Sequence, residues 1–120
     1  MVGTHTPPQF FVVPQLMHQY AADLEVRLQS CGESDNLLLE ALAFAEGRLL
    51  SIHPFADFNG RVTRVFLSLL LIRLDLPAAL LLPSEAEKAN YLLALRAADQ
   101  LDWAPLMEIW RERLSKGIPE

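Results

Sequence analysis

One short segment in the middle of the chain holds most of the side chains that could do chemistry. It runs from His53 to Arg64 and reads HPFADFNGRVTR, so that an imidazole, a carboxylate and two guanidinium groups occur close together. Histidine titrates near neutral pH and can accept a proton from an attacking hydroxyl, while arginine can bind two phosphate oxygens at once. This combination is typical of a site that handles a phosphate ester.

The local backbone signals predict that this segment connects two helices. Pro54 cannot continue a helix and biases His53 away from helical angles, so the preceding helix should end just before His53. Asn59 or Asp57 can cap the next helix, which we expect to begin near Gly60. Because the start of a helix has free backbone N–H groups and a partial positive charge, it suits an anion.

The charged residues of the segment fall at positions that suit bound phosphates. Arg61 and Arg64 are three residues apart, so they lie on one face of the predicted helix. Their guanidinium groups can therefore contact the same anion. Asp57 is a hard oxygen donor beside this anion site, where it suits Mg²⁺ held jointly with the phosphates of a nucleotide.

Each of these residues taken alone has a more ordinary structural role. A histidine before a proline is more often a hydrogen-bonded structural residue than a catalyst. Asp57 and Asn59 could serve only as helix caps, and surface arginines usually form weak ion pairs with carboxylates. The joint occurrence of all these residues in one fixed order is what favours a functional site.

The same segment resembles the signature loop of the Fic domain family, which usually reads His-Pro-Phe-x-Asp/Glu-Gly-Asn-Gly-Arg-x-x-Arg. Every specified position matches except one, because Phe58 stands where the family generally has glycine. The strings at 13–17 and 90–95 are also similar to the family, and the resemblance covers about residues 4–115. It implies transfer of AMP from ATP to a hydroxyl side chain of a target protein.

The resemblance also implies how the reaction would proceed. The acceptor hydroxyl, on a Ser, Thr or Tyr of the target protein, would attack the α-phosphorus in line, and pyrophosphate would leave. His53 would be the general base that activates this hydroxyl, and Asp57 would hold Mg²⁺ between the α- and β-phosphates. Positioning and charge stabilisation should contribute more than covalent chemistry.

The remaining residues of the loop would bind the phosphates. Asn59 and Gly60, with adjacent backbone N–H groups, would form the anion hole for the α-phosphate, while Arg61 would bind the β/γ end and Arg64 would support it. Three outcomes are open for Phe58. Its backbone could be strained by about 1–3 kcal/mol, its ring could crowd the phosphates, or its ring could point outward and shape an acceptor or base pocket.

Two alternatives to AMP transfer follow from the same residues. A degenerate member of the family would keep the fold and serve as a binding module without turnover, which Phe58 makes a serious alternative. A Doc-like member would reverse the nucleotide and transfer the γ-phosphate as a protein kinase. Such members usually carry Asn-Lys-Arg in the loop, so Gly60 favours AMP transfer over kinase activity.

The length and apolar content of the chain fit one domain, and its charge bears on its partners. With 120 residues, just over half of them apolar, residues 1–120 can form a single Fic-type domain that buries roughly two-thirds of its unfolded surface. A net charge of −5 without a basic stripe argues against nucleic acid as a partner. Cys31 is the lone cysteine, which excludes an internal disulfide and a cysteine metal cluster.

The sequence predicts a cytoplasmic protein without a membrane span. No basic start followed by an apolar stretch opens the chain, so no secretory signal is expected. The apolar stretch at 65–82 is interrupted by Arg73, Asp75 and Pro77, and falls short of the ~20 residues that a span requires. A bacterial-type cytoplasmic location is expected, and delivery to a host cell is not excluded.

The apolar periodicity predicts an all-α bundle of five to six helices around a buried central helix. We expect the third helix to be the buried one, and residues 1–13 to be extended, as the end of a truncated flap that clamps the target by strand pairing. Phe10 and Phe11 could staple the first helix or form part of an exposed contact surface, and the staple is favoured. A capping box at Ser84 and Glu87 opens the fourth helix. The predicted helices span about 14–30, 36–51, 60–75, 84–99 and 102–116.

Many members of the family are restrained by a glutamate, in a helix reading Ser/Thr-x-x-x-Glu-Gly/Asn, which pairs with the second arginine of the loop. The near match at Glu46 and Gly47 has Leu42 in place of the hydroxyl residue. We therefore predict that no carboxylate of this chain pairs with Arg64 over the loop. Regulation would instead come from Phe58, from a missing segment, or from another chain, either a regulatory partner or a second copy in a homodimer.

Overall fold

The computed structural model describes residues 6–53 and 59–116, and these residues form helices without any strand. A 3-10 turn at Phe10–Val12 leads into the first helix. The prediction of an all-α fold is confirmed, and four of the five predicted helices begin within about two residues of their expected positions. The α-helices are α1 at Val13–Ser30, α2 at Asp35–Ile52, α3 at Asn59–Arg73, α4 at Lys88–Asp99 and α5 at Ala104–Lys116.

Side-chain to backbone hydrogen bonds occur just before each of the last two helices. The Ser84 backbone N–H donates to Glu87 Oε1 at 2.9 Å, so half of the predicted capping box forms. It closes a turn rather than the first turn of a helix, and α4 begins only at Lys88. Before α5, Asp102 Oδ1 accepts a hydrogen bond from the Ala104 N–H at 3.3 Å. Only the bond to Asp102 satisfies a backbone donor that the helix itself leaves unpaired.

The central helix of the bundle is α2, and our prediction that the third helix is the buried one was wrong. Twelve of the eighteen residues of α2 are buried, against five of the fifteen residues of α3. The helix α2 packs against α1, α3, α4 and α5, whereas the backbone of α3 comes close only to α2 among the described elements. Three large apolar side chains of α3 are mostly exposed: Val65, Leu69 and Ile72.

The small residues of α2 explain why this helix, and not α3, takes the central place. Its alternating alanines and one glycine let neighbouring helices approach from several sides. At Gly47, an added Cβ would lie 2.7 Å from Ala98 Cβ and 3.1 Å from Leu106 Cδ2. The first of these distances is too short for two carbon atoms that are not bonded. Only glycine therefore permits the observed approach of α4 and α5 to α2.

The start of the chain departs from the predicted extended segment. Residues 6–9 have no regular structure, but residues 10–12 form the 3-10 turn, and residues 1–5 lie outside the described part. Phe10 and Phe11 are 87% and 65% exposed and contact each other edge to face, with ring centroids 5.8 Å apart. The prediction that they staple α1 was therefore wrong, because neither ring is buried against the bundle.

None of the helices in the described part of the chain combines the length and the apolar character needed to cross a membrane.

Candidate functional site

The predicted site residues fall at the junction between α2 and α3. Two of them, Asp57 and Phe58, lie outside the described residues, so magnesium binding by Asp57 and the direction of the Phe58 ring stay predictions. The others occupy the two helix ends that this junction connects. His53 directly follows α2, and the first turns of α3 carry Asn59, Gly60, Arg61 and Arg64.

His53 ends α2 in a left-handed backbone conformation. Its φ and ψ are 54° and 59°, and its backbone N–H donates to the Leu49 carbonyl at 3.1 Å. The predictions that the helix ends at Ile52 and that His53 leaves helical angles are confirmed. Glycine or asparagine normally fills this capping position, because other side chains cost roughly 1–2 kcal/mol there. Asp75 and Leu101, which follow α3 and α4, also have positive φ, so this conformation recurs at helix ends in this chain.

Asn59 is the first residue of α3, and only 6% of it is exposed. Thr63, one turn later, is 2% exposed, so both polar side chains lie on the face of α3 that turns toward the bundle. A buried amide normally has hydrogen-bond partners, and Asn59 is therefore held firmly in place. The helix α3 begins at Asn59, one residue before the predicted start at Gly60.

Arg64 reaches back to the beginning of α3. A Cβ built on Gly60 would lie 3.1 Å from Arg64 Nη1, 3.9 Å from its Cζ and 4.0 Å from its Nη2. The guanidinium group therefore lies directly against Gly60, beside the first turn of the helix. Arg61 is exposed, whereas Arg64 is half-buried. A cation and the partial positive charge of the helix start thus coincide, which suits an anionic ligand.

Glu46, the glutamate in the near match to the family's inhibitory sequence, pairs with other helices inside the bundle. Glu46 is fully buried, and Arg113 Nη1 of α5 donates to its Oε1 at 2.7 Å. The Tyr91 hydroxyl of α4 donates to Glu46 Oε2. Arg113 Nη2 also donates to the Leu81 carbonyl at 3.1 Å. Because Glu46 is held by two partners inside the bundle, it cannot also pair with Arg64 over the loop.

The partners of Glu46 were not predicted from the sequence. One signal was available, because Glu46 is the single acidic residue in the apolar stretch 41–50. A carboxylate on a helix buried on several sides needs a cationic partner. The sequence does not say which arginine supplies it, because Arg113 is 67 residues away.

A cavity of about 570 Å³ lies on another side of the bundle, between the segment at 80–84 and the helices α4 and α5. Tyr91 and Arg113 form part of its wall, but none of the described loop residues lines it. Most of the lining is apolar, and the charged groups at its edge carry both signs. This cavity is therefore separate from the junction of α2 and α3.

Comparison with known sequences includes this junction in its match. The sequence model of the Fic/DOC family matches residues 2–71, which include α1, α2, the loop and most of α3. The chain therefore belongs to the Fic/DOC family.

Curated relatives extend the similarity beyond the loop. Protein adenylyltransferase fic-1 of Caenorhabditis briggsae is 32% identical over 106 residues, which are 88% of this chain and 20% of the relative. Protein adenylyltransferase Fic of Drosophila persimilis is 31% identical over 117 residues, 98% of this chain and 22% of the relative. Fic-1 of Caenorhabditis elegans is 36% identical over 69 residues, 58% of this chain and 13% of the relative. The chain thus spans about a fifth of the length of the first two relatives.

Proposed function

We propose that this domain transfers AMP from ATP to a hydroxyl side chain of a target protein. The observation that carries the proposal is the placement of the signature loop between a histidine-capped helix end and a cationic helix start. His53 caps the end of α2, and Arg64 lies over the first turn of α3. The relatives named protein adenylyltransferase support the same reaction.

In the proposed reaction, the residues of this chain bind phosphates and move one proton. The acceptor hydroxyl gives its proton to the His53 imidazole, and its oxygen forms a bond to the α-phosphorus of ATP. The bond from the α-phosphorus to the bridging oxygen breaks, and pyrophosphate leaves. Backbone N–H groups at Asn59 and Gly60 stabilise the oxygens of the α-phosphate, while Arg61 and Arg64 bind the β- and γ-phosphates.

We include Mg²⁺ with ATP in the proposal, with Asp57 as the protein ligand. Among the described side chains, no group of three or more His, Cys, Asp or Glu residues is gathered as for a metal ion. A magnesium ion shared with a nucleotide needs only one or two carboxylates, since phosphates and water supply its other ligands. One carboxylate in the loop therefore fits this ion, which would neutralise part of the phosphate charge when bound.

Labelled ATP tests the proposal directly. We would incubate the chain with a lysate and ATP labelled at either the α- or the γ-phosphate, and use His53→Ala as the control. AMP transfer predicts that the α label alone becomes attached to protein, and that His53→Ala abolishes the labelling. Attachment of the γ label would indicate a kinase and contradict the proposal. The reaction is expected in the cytoplasm, as the sequence predicts.

A binding module without turnover is the second candidate, and Phe58 favours it. If the ring blocks the α-phosphate, the chain should bind ATP without attaching either label to protein. Replacement of the ring by the usual residue of the family, Phe58→Gly, should then produce α-label transfer that depends on His53. Transfer of the α label by the wild-type chain would instead show that the Phe58 ring does not block the α-phosphate.

A further inference from the structure

We propose that Gly60 is a positioning residue for Arg64, because a side chain at 60 would displace the guanidinium group from its place over the start of α3. The proposal rests on the proposed function in that the group so placed is one that would bind the nucleotide phosphates. It assigns to Gly60 a role that differs from close approach to the ligand.

The contact follows from the geometry of a helix. Residues 60 and 64 are four apart in α3, so their side chains lie on the same face. Helical side chains lean toward the N-terminus, which carries the long Arg64 side chain back over the preceding turn. Its Nη1 comes to 3.1 Å from the Cβ position of residue 60. Carbon and nitrogen atoms in ordinary contact are about 3.5 Å apart, so a methyl group there would displace the guanidinium by a few tenths of an ångström.

Neither the backbone conformation nor the packing of the core requires a glycine at position 60. The φ of Gly60 is not positive, unlike that of Gly32, so a side chain could be carried without backbone strain. Among the described residues, no core contact demands the glycine, whereas Gly47 is enclosed by three side chains of other helices. Within 6–53 and 59–116, the three atoms nearest to an added Cβ at Gly60 all belong to the Arg64 guanidinium. Within a helix, glycine costs roughly 0.5–1 kcal/mol relative to alanine, so this position sacrifices stability for the placement of Arg64.

Gly60→Ala should therefore separate stability from ligand binding. The variant should unfold at the same temperature as the wild type or higher, because alanine favours the helix. Its affinity for Mg²⁺–ATP should fall about three- to tenfold, since a displaced guanidinium loses most of a charge-assisted hydrogen bond. Gly32→Ala adds the same methyl group where nothing lies within 4 Å. It should lower stability through its positive φ and leave ATP affinity unchanged.

A double-mutant cycle with Arg64→Ala tests whether the effect passes through Arg64. If it does, Gly60→Ala should weaken ATP binding when Arg64 is present. It should have no further effect in a chain that already carries Arg64→Ala. Losses of affinity that add in the double variant would overturn the proposal, because Gly60 would then act on the ligand directly. Unchanged affinity in Gly60→Ala would overturn it as well.

A measurement without nucleotide keeps this proposal distinct from the proposed function. The Arg64 Nε–Hε resonance in a ¹⁵N-correlated NMR spectrum of the free protein reports the surroundings of the guanidinium. We expect this resonance to move in Gly60→Ala and to stay in place in Gly32→Ala. A wild-type chain that fails to bind ATP would contradict the proposed function, while a resonance that does not move in Gly60→Ala would overturn the positioning of Arg64.

Discussion

At the scale of single residues, the backbone of His53 can be tested by substitution. It caps α2 in the left-handed region, where a histidine is disfavoured, although a glycine or an asparagine there would make the same backbone hydrogen bond to Leu49. His53, the general base predicted from the sequence, thus has a backbone conformation that costs free energy for a residue other than glycine or asparagine. Strain of this kind is typical of functional residues and is balanced by the stability of the surrounding structure.

The conformation of His53 predicts a difference between two variants that both lack the imidazole. His53→Asn should unfold at a higher urea concentration than His53→Ala, by roughly 1 kcal/mol, because asparagine tolerates the left-handed region and alanine does not. Both variants should be unable to transfer AMP. Equal stability of the two variants, measured by urea unfolding, would show that the left-handed cap is not present in solution.

At the scale of the helices, the buried ion pair between α2 and α5 decides how the C-terminal helices are held. Arg113 and Glu46 have side chains that are 8% and 1% exposed. A second arginine–glutamate pair, Arg73 with Glu25, joins α3 to α1 at nearly the same distance, 2.6 Å, but on the surface. The two pairs differ chiefly in burial, and burial sets the cost of breaking them.

Arg113→Ala should therefore destabilise the protein by about 3–5 kcal/mol, because it leaves the Glu46 carboxylate buried without its cation. Arg73→Ala, the matched variant on the surface, should cost less than about 1 kcal/mol. Chemical unfolding of the two variants measures the difference. Similar losses in both would contradict the burial of Glu46.

The exposed face of α3 gives a second prediction at this scale. Leu67 is fully buried and Leu69, two residues further along the same helix, is 60% exposed. Leu67→Ala should cost about 2–5 kcal/mol, as for other buried leucines, while Leu69→Ala should change the stability by about 0.5 kcal/mol or less. If Leu69→Ala proved as costly as Leu67→Ala, α3 would be buried on both sides, as the sequence had predicted.

At the scale of the whole molecule, both tyrosines of the sequence join flanking helices to adjacent residues of α2. The Tyr20 hydroxyl of α1 donates to the Ala45 carbonyl at 2.7 Å, and the Tyr91 hydroxyl of α4 donates to Glu46. Burial raises the pKa of Tyr20 above its usual value. Burial, together with the neighbouring Glu46 carboxylate, raises the pKa of Tyr91. Both hydroxyls therefore stay protonated while the bundle is folded.

These pKa shifts predict that the free energy of unfolding falls at alkaline pH. An unfolded tyrosine ionises near pH 10, whereas the folded hydroxyls hold their protons to higher pH. The unfolded state therefore binds fewer protons above about pH 10, and stability that is complete below this pH is lost as the pH rises. Tyrosinate absorbance should appear together with the loss of helical circular dichroism. Ionisation of both tyrosines in a protein that stays helical would contradict their burial.

Local signals in the sequence were enough to predict the helices and the parts of the candidate site. Pro54 predicted where α2 ends, and apolar periodicity placed α1, α2 and α3 to within two residues of their observed ends. The order of His53, Asp57, Asn59 and the two arginines indicated phosphate chemistry, and the family match includes that segment. The roles of Asp57 and Phe58 stay predictions, since both lie outside the described residues.

By itself, the sequence determined the helices, the junction that carries the reactive groups and the family, because each depends on residues that are close together in the chain. The tertiary structure alone decided that α2 is the central helix, that Glu46 pairs with Arg113, and that Arg64 lies against Gly60. A leucine-rich run is compatible with burial on one side or on all sides. Which of these occurs depends on how closely other helices can approach, and the small residues of α2 allow an approach that α3 does not.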